Sequence, residues 1–179
     1  DATRAVAGNR NGFIGNRMLS GYGYHAQILI LEGAKIEQVD AAIRNFGMPM
    51  GPFQMGDLAG MDIGYKSRKD RDPSTYDTRS SRLADMLVEA GRLGQKTNAG
   101  AYDYVPGDRT PKPSPVVEEM LEKVRKEVGF TQRTFTDQEI VERCMLPLMN
   151  VGCDVLDEGV AYRASDIDIV YLYGYGFPA

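Results

Sequence analysis

The sequence of 179 residues contains no tryptophan, one histidine and two cysteines. Because His25 is the only imidazole, this chain by itself can form neither a histidine-rich metal site nor a mechanism that uses two histidines. Cys144 and Cys153 lie in a stretch with helical periodicity, where their spacing turns them to opposite faces about 13 Å apart. A disulfide cannot span that distance. We therefore expect two buried, reduced thiols in a reducing compartment.

Long apolar runs and an excess of basic residues are also lacking. No apolar stretch reaches about 18 residues, the length of a membrane-spanning helix, and no signal peptide opens the chain, which begins with Asp1. The 21 basic and 25 acidic residues leave a net charge of −4, which favours neither nucleic acid nor an acidic membrane surface as a partner. We expect a cytoplasmic protein that binds no nucleic acid and no membrane.

Motifs for common cofactors are missing as well. The sequence contains no phosphate-binding loop, no serine nucleophile elbow and no cluster of metal ligands. Gly21 and Gly23 have the spacing that begins a dinucleotide fingerprint, but they lie within a helical pattern that no strand pattern precedes. The residues therefore predict neither a metal site nor a nucleotide site within the chain.

Helical periodicity is what the sequence does contain, without a succession of strand patterns. The apolar run 28–31 has no polar face, which predicts a central, enclosed helix. A capping box at 136–139 predicts the start of a long helix, and the polar stretch 66–77 predicts a loop or a frayed helix end. The predicted helices span residues 13–31, 36–46, 81–90, 116–128, 140–156 and 166–173, the last capped by Ser165, and one more begins at Pro52 and breaks near Gly60. The fold class is therefore all-α.

A faint internal repeat relates the two halves of the chain. A shift of 126 residues superimposes four identical pairs and aligns many apolar positions. The pairs are Arg17 with Arg143, Glu32 with Glu158, Gly33 with Gly159, and Asp40 with Asp166. We interpret this pattern as a tandem duplicated helical domain. Residues 1–12 are a connector from a lost upstream domain, 13–104 the first repeat, 105–115 a proline-rich linker, and 116–179 a second repeat that is cut short.

Asn16 stands out as a candidate functional residue because it lies in the first turn of a mostly apolar helix. Its carboxamide can donate and accept hydrogen bonds at the edge of a cleft; the alternative is a hydrogen bond to the backbone at the helix end. Lys96, in the glycine-punctuated loop 93–102, also has two interpretations. It is either a partner for a phosphate or carboxylate, or an exposed lysine.

The other charged residues favour structural roles. Glu32 and Glu158 precede glycines at helix ends and are expected to bind backbone N–H groups of the turns. His25 is expected in the packing or at an oligomer interface. The basic run 66–71 is expected to form a solvated face, with contact to a CoA phosphate as the alternative. First-turn positions, which the helix dipole makes favourable for acids, are predicted for Asp40, Asp166 and Asp168.

Five segments, in their order and spacing, resemble the C-terminal region of the 3-hydroxyacyl-CoA dehydrogenases. The first repeat carries four of them, at 12–17 (GFIGNR), 46–53 (FGMPMGPF), 57–62 (DLAGMD) and 94–102 (GQKTNAGAY). The second repeat carries the fifth, at 166–178 (DIDIVYLYGYGFP). Two tandem repeats resemble the long bifunctional enzymes of fatty-acid oxidation, which also contain an enoyl-CoA hydratase part.

This resemblance implies a helical domain similar to the C-terminal domain of 6-phosphogluconate dehydrogenase, used for substrate binding and dimerisation. It implies an enzyme of β-oxidation that converts a 3-hydroxyacyl-CoA to the 3-ketoacyl-CoA, with NAD as the cofactor. The Rossmann domain that holds NAD, and a catalytic His–Glu pair, lie upstream of the 12–17 motif in the family. This sequence has neither, His25 does not correspond to the catalytic histidine, and the chain alone is expected to be inactive.

The resemblance also implies site residues and partners. Asn16 matches the family asparagine that contacts the reacting end of the substrate, so it is implied as a catalytic and substrate-binding residue. Tyr175 is implied as a second substrate-binding residue. The implied partners are the 3-hydroxyacyl-CoA, the Rossmann domain of the parent protein and a second copy of the chain in a homodimer.

Two alternatives stay open at this point. The chain could be an independent helical module that dimerises without a ligand, or the helical half of another hydroxyacid dehydrogenase. The Pro-Met-Gly-Pro and Gly-Gln-Lys-Thr motifs disfavour the second alternative.

Overall fold

Helices account for the regular structure of the protein, a computed structural model that describes residues 5–178. Within that range there is no strand, only isolated β-bridges, so the predicted all-α class is confirmed. The helices are α1 (Gly15–Leu31), α2 (Ile36–Phe46), α3 (Pro52–Ala59), α4 (Met61–Lys69), α5 (Arg82–Glu89), α6 (Pro115–Val128), α7 (Asp137–Asp157) and α8 (Ala164–Gly174). Short 3-10 turns occur at Pro73–Thr75, Thr78–Ser81 and Gln95–Thr97.

Local signals account for most helix ends. The helix that begins at Pro52 breaks at Gly60, as predicted, where φ is 100°. The predicted capping box is present, since Thr136 Oγ1 accepts from Glu139 N while the Glu139 carboxylate accepts from Thr136 N. The stretch 66–77 contains the end of α4, which stops at Lys69, and then a loop with one 3-10 turn, in agreement with the prediction. The expectation that Ser165 caps α8 is wrong, because Arg163 occupies its N-cap.

The helix α1 is the centre of the molecule. Leu29, Ile30 and Leu31 are fully buried, which confirms the enclosed helix predicted from the run 28–31. The long helix α7 packs along α1, and α2 packs on α7 as well. Gly21 faces Pro147 at the crossing of α1 and α7, so positions that the internal repeat makes equivalent lie opposite each other.

Ion pairs between α1 and α7 are exchanged reciprocally. Arg17, at the start of α1, donates two hydrogen bonds of 2.6 Å to Glu158, which follows the end of α7. Arg143, near the start of α7, pairs with Glu32, which follows the end of α1. The two helices are therefore antiparallel. The expectation that both glutamates bind backbone N–H groups is wrong, because the crossing places a guanidinium beside each of them.

These exchanged pairs are what a twofold relation between two copies of one helical unit produces. The Pro/Gly turns that follow the second helix of each copy also meet, with Gly47 against Pro178 and Gly176 against Pro49. Both contacts support the division into repeats at 13–104 and 116–179, joined by the linker 105–115, which we retain as a proposal. The predicted connector 1–12 is described only from residue 5 onward.

The two cysteines differ in their surroundings. Cys144 is buried, and burial raises the pKa of its thiol to about 12. Cys153 is exposed, so the expectation of two buried thiols is wrong for this residue.

Two buried aspartates hold the glycine-rich segments in place. Asp40 of α2 accepts from the backbone N–H groups of Phe53 and Gln54 at 2.9 Å each, at the start of α3, and from Tyr102 Oη at 2.8 Å. The expectation that Asp40 lies in the first turn of its own helix is wrong, because α2 begins at Ile36 and the acid in its first turn is Glu37. A Cβ atom at Gly51 would overlap the Asp40 carboxylate, so the turn needs glycine there.

Asp57 binds backbone N–H groups in the same way, in the loop that precedes the linker. It accepts from Ala101 N at 2.8 Å, from Tyr102 N at 3.0 Å and from Tyr104 Oη at 2.9 Å. Gly100 has no room for a side chain because the Asp57 carboxylate occupies that space. The motif glycines of this loop are thus explained by packing on a buried acid.

In the described range, no helix combines the length and the hydropathy needed to cross a membrane. The same range contains no group of three or more acidic, histidine or cysteine side chains placed to hold a metal ion.

We predict that Asp40 makes stability depend on pH between about 4 and 6. Burial raises the pKa of Asp40 to about 6 in the folded protein, above the value of about 3.9 expected in the unfolded chain. The contribution of protonated Asp40 is therefore fully present below about pH 4 and is lost as the pH rises through 6. Relative to Asp40→Asn, the wild-type protein should lose up to about 3 kcal/mol of unfolding free energy across this window.

Urea unfolding of both proteins at a series of pH values measures this difference. Asp108→Asn is the control, because a hydrogen bond from Thr110 lowers the pKa of Asp108. Its contribution is therefore lost only as the pH falls below about 4, and it should stay nearly constant across the window in which Asp40 titrates. Parallel pH profiles for wild type and Asp40→Asn would contradict the prediction.

Candidate functional site

The candidate residue Asn16 lies at the first turn of α1, behind an unusual bend of the backbone. Gly12 and Phe13 both have positive φ, 76° and 49°. Such a conformation is strained for a phenylalanine, and the Phe13 side chain is 56% exposed. The bend is closed by Arg17 N, which donates to Gly12 O at 3.3 Å. It turns the chain into α1 with the Asn16 side chain exposed at the surface.

The structure brings the two candidate residues Asn16 and Tyr175 together. Tyr175 follows the end of α8, and its Oη donates to Asn16 Oδ1 at 2.7 Å across a sequence separation of 159 residues. Burial raises the pKa of Tyr175, so the phenol keeps its proton and remains a donor at neutral pH. Within residues 5–178, the Asn16 side chain bonds to this phenol and not to the backbone at the helix end, which was the alternative.

Gly15 and Tyr171 make this contact possible. A Cβ atom at Gly15 would lie 2.5 Å from Tyr175 Cε2, so only glycine leaves room for the ring. The Tyr171 ring stacks on that of Tyr175 at 4.9 Å, and Tyr171 Oη donates to Gly15 O at 3.0 Å. Sequence reasoning did not identify Tyr171. Its signal was the spacing of four residues from Tyr175, which places both rings on one side of the helix.

A shallow cavity of about 260 Å³ opens beside these side chains. Residues 12–16, Val170, Tyr175, Ala5 and Ala7 line it. The walls are apolar, and the polar side chains on them are Asn16 and Tyr175. The arrangement can therefore seat a small apolar group and present a carboxamide to a polar atom at its edge.

A larger cavity of about 690 Å³ lies elsewhere, between the start of α2, the end of the linker and α6. Its rim carries lysines and glutamates in similar numbers. None of the candidate residues lines it, so its size alone gives it no connection to the predicted chemistry.

The remaining candidates are placed apart from Asn16. Lys96 is exposed and pairs with Asp62 of α4, which also accepts from Lys66 at 3.4 Å. Arg68 of the basic run pairs with Asp85 of α5. Lys96 and Arg68 therefore each form an ion pair within the protein. His25 is half-buried against Tyr24, and burial lowers its pKa.

The acids of α8 have different surroundings. Asp166 is buried and accepts from Arg163, 2.8 Å from Nη2, which lowers the pKa of its carboxyl group. Asp168 is exposed in the first half of the helix.

Comparison with known proteins identifies the family. Residues 12–104 match the family model described as the 3-hydroxyacyl-CoA dehydrogenase C-terminal domain. The chain belongs to this family. The resemblance found in the sequence motifs is thereby confirmed, and the matched segment contains Asn16 but not Tyr175.

Full-length relatives extend the match over almost the whole chain. The chain is 44% identical to the peroxisomal bifunctional enzyme of Danio rerio and 43% identical to that of Homo sapiens, in each case over 97% of the chain and 26% of the relative. It is 38% identical to a peroxisomal fatty acid β-oxidation multifunctional protein of Oryza sativa. The chain thus spans about a quarter of the length of these relatives.

Solved structures agree with this assignment. The dehydrogenase part of multifunctional enzyme 1 from C. elegans matches 96% of the chain and 38% of its own length, with a TM-score of 0.76 and 29% identity. The 3-hydroxybutyryl-CoA dehydrogenase of Escherichia coli, at 21% identity and a TM-score of 0.68, shares the fold.

The expected cytoplasmic location is wrong. The relatives are named as peroxisomal enzymes in animals and as peroxisomal or glyoxysomal enzymes in plants. The expectation rested on features absent from the sequence, and such absences do not distinguish one compartment from another.

The residues of this chain do not fit NAD. A dinucleotide site needs a strand, a glycine-rich turn and the N-terminus of a helix in succession. No such succession occurs in the part of the chain that the structure describes.

We predict that Gly15→Ala displaces the Tyr175 ring and breaks its hydrogen bond to Asn16. Overpacking of this kind is expected to lower the unfolding free energy by about 1–3 kcal/mol. Gly23→Ala is the matched control on the same helix, because nothing lies within 4 Å of a Cβ atom there. It should instead stabilise the helix by up to about 1 kcal/mol. Urea unfolding measures both; equal effects at the two glycines would contradict the packing described here.

Proposed function

We propose that the chain is the helical, substrate-contacting and dimerising portion of an NAD-dependent 3-hydroxyacyl-CoA dehydrogenase of fatty-acid β-oxidation. Family membership and the names of the relatives support this proposal. The observation that carries it is the placement of Asn16. This residue lies within the matched family segment, with its carboxamide exposed at the rim of an apolar cavity.

The division of roles follows from the residues present. Asn16 would donate a hydrogen bond from Nδ2 to the C3 oxygen of the substrate or to the catalytic imidazole. Tyr175 would line the same cavity as a substrate-binding residue. The catalytic His–Glu pair and the cofactor site belong to a nucleotide-binding domain outside this chain, so the chain alone is expected to be inactive.

We place the parent protein in the peroxisome, following the names of its relatives in animals and plants. The alternative of a non-catalytic helical interaction module is disfavoured, because family membership and the exposed Asn16 within the matched segment both connect the chain to the dehydrogenase.

We predict that Asn16→Ala, in the full-length dehydrogenase that contains this chain, lowers kcat by about 100-fold with a smaller change in KM. This split is expected when a hydrogen bond strengthens in the transition state. Ser20→Ala, one turn further along α1 on the exposed surface, is the control and should keep normal turnover. Steady-state kinetics with a 3-hydroxyacyl-CoA and NAD decide the matter, with the melting temperature measured on the same samples. Normal kcat with a lowered melting temperature would make Asn16 a structural residue.

We also propose that the chain forms homodimers, because apolar side chains remain exposed in the described part of the molecule. Leu146 and Met149 are 55% and 59% exposed on one side of α7. Apolar surface of this kind marks protein interfaces.

Light scattering at micromolar concentration should therefore give more than the mass of a 19.8 kDa monomer. Met149→Lys should shift the chain toward the monomer, whereas Val116→Lys, at an exposed apolar position of α6, should not. A monomer at every concentration would exclude this proposal.

A further inference from the structure

We propose that Tyr175 is a positioning residue: it orients the Asn16 carboxamide so that the Nδ2 hydrogens, and not Oδ1, are presented to the substrate. The inference rests on the proposed function and adds to it how the donor end of Asn16 is selected. It also makes the second repeat a necessary part of a site whose asparagine belongs to the first repeat.

The argument begins with the chemistry of the two groups. A carboxamide has an acceptor end and a donor end, and the torsion that exchanges them is soft for an exposed asparagine. The Tyr175 hydroxyl donates to Asn16 Oδ1 at 2.7 Å, the usual length of a good O–H···O hydrogen bond. The reversed carboxamide would let Nδ2 donate to the phenol oxygen, but the hydroxyl hydrogen would then lose the acceptor that it has here. Holding Oδ1 leaves Nδ2 as the end available to a ligand.

The phenol can impose this orientation because it is itself held. Stacking on Tyr171 and the fit over Gly15 fix the plane of the Tyr175 ring. Two residues further along, the Phe177 ring packs edge-on against Phe46 at 5.9 Å and against Tyr171 at 6.1 Å. The Tyr171 hydroxyl ties the end of α8 to the first turn of α1. A side chain supported on both sides is suited to position its neighbour.

The two tyrosines and Asn16 come from different parts of the chain. Tyr171 and Tyr175 both lie outside residues 12–104, the segment that the family model matches. The orientation of Asn16 therefore depends on a helix from the other repeat. Asn16 is the polar side chain of the matched segment that lines the cavity. If Tyr175 served only to pack the helices, its hydroxyl would not need to bond to this residue.

The first test uses this chain without any substrate. In NMR spectra, the side-chain Nδ2 resonances of Asn16 should shift and broaden in Tyr175→Phe, because the carboxamide gains freedom to rotate. Tyr173→Phe is the matched control, since Tyr173 is 76% exposed and only two residues away; it should leave the Asn16 signals unchanged. Unaltered Asn16 signals in Tyr175→Phe would overturn the proposal.

The second test is kinetic and uses the full-length dehydrogenase. Loss of one orienting hydrogen bond in Tyr175→Phe should lower kcat by about 5-fold. KM should be unchanged, because phenylalanine keeps the ring that lines the cavity. Asn16→Asp retains an acceptor for the phenol but has no N–H donor, so it should be as impaired as Asn16→Ala. Added to Asn16→Ala, Tyr175→Phe should have no further effect on kcat.

The outcomes separate the inference from the function on which it rests. Additive losses in the double variant, or a raised KM with normal kcat in Tyr175→Phe, would overturn the positioning role and make the Tyr175 hydroxyl, and not only its ring, a direct substrate contact. Normal kcat in Asn16→Ala would refute the proposed function of Asn16, whereas the NMR result would still report whether Tyr175 orients it.

Discussion

The antiparallel packing of α1 against α7 is the contact on which the rest of the structure depends. It covers one side of the apolar helix α1, which also packs on α6 and on the turn Thr78–Ser81. It places a basic residue near the start of each helix beside an acid at the end of the other. Because Gly21 and Pro147 face each other at the crossing, the helices approach closely there. The end of α8 also contacts the first turn of α1, through the hydrogen bonds of Tyr171 to Gly15 and of Tyr175 to Asn16.

The motifs that identify the family are largely explained by two buried carboxylates. Asp40 binds the first backbone N–H groups of α3, and Asp57 binds those of the loop at 101–102, so each acid joins segments that are distant in the sequence. Tyr102 links the two, since its hydroxyl bonds to Asp40 and its backbone to Asp57. The glycines around them are required by close approach, which is a structural and not a catalytic reason for the motif.

The candidate site is small and combines the start of α1 with the end of α8, which belong to different repeats in the proposed division. Asn16 comes from the strained entrance to α1, and Tyr175, which bonds to it, follows the end of α8. An exposed asparagine by itself can present either a donor or an acceptor to a ligand, because its carboxamide can turn either end outward. Contact with a supported phenol gives it a defined donor end, and a defined donor is what a developing negative charge on oxygen requires.

The sequence by itself determined the all-α class, the enclosed helix around 28–31, the break at Gly60, the capping box at Thr136 and the family. These depend on local periodicity, on caps and on short motifs, all of which can be read within a few residues. The partners of individual side chains were decided only by tertiary structure. Glu32 binds Arg143, Lys96 binds Asp62, and Tyr175 meets Asn16, because helix packing joins residues that no local pattern connects.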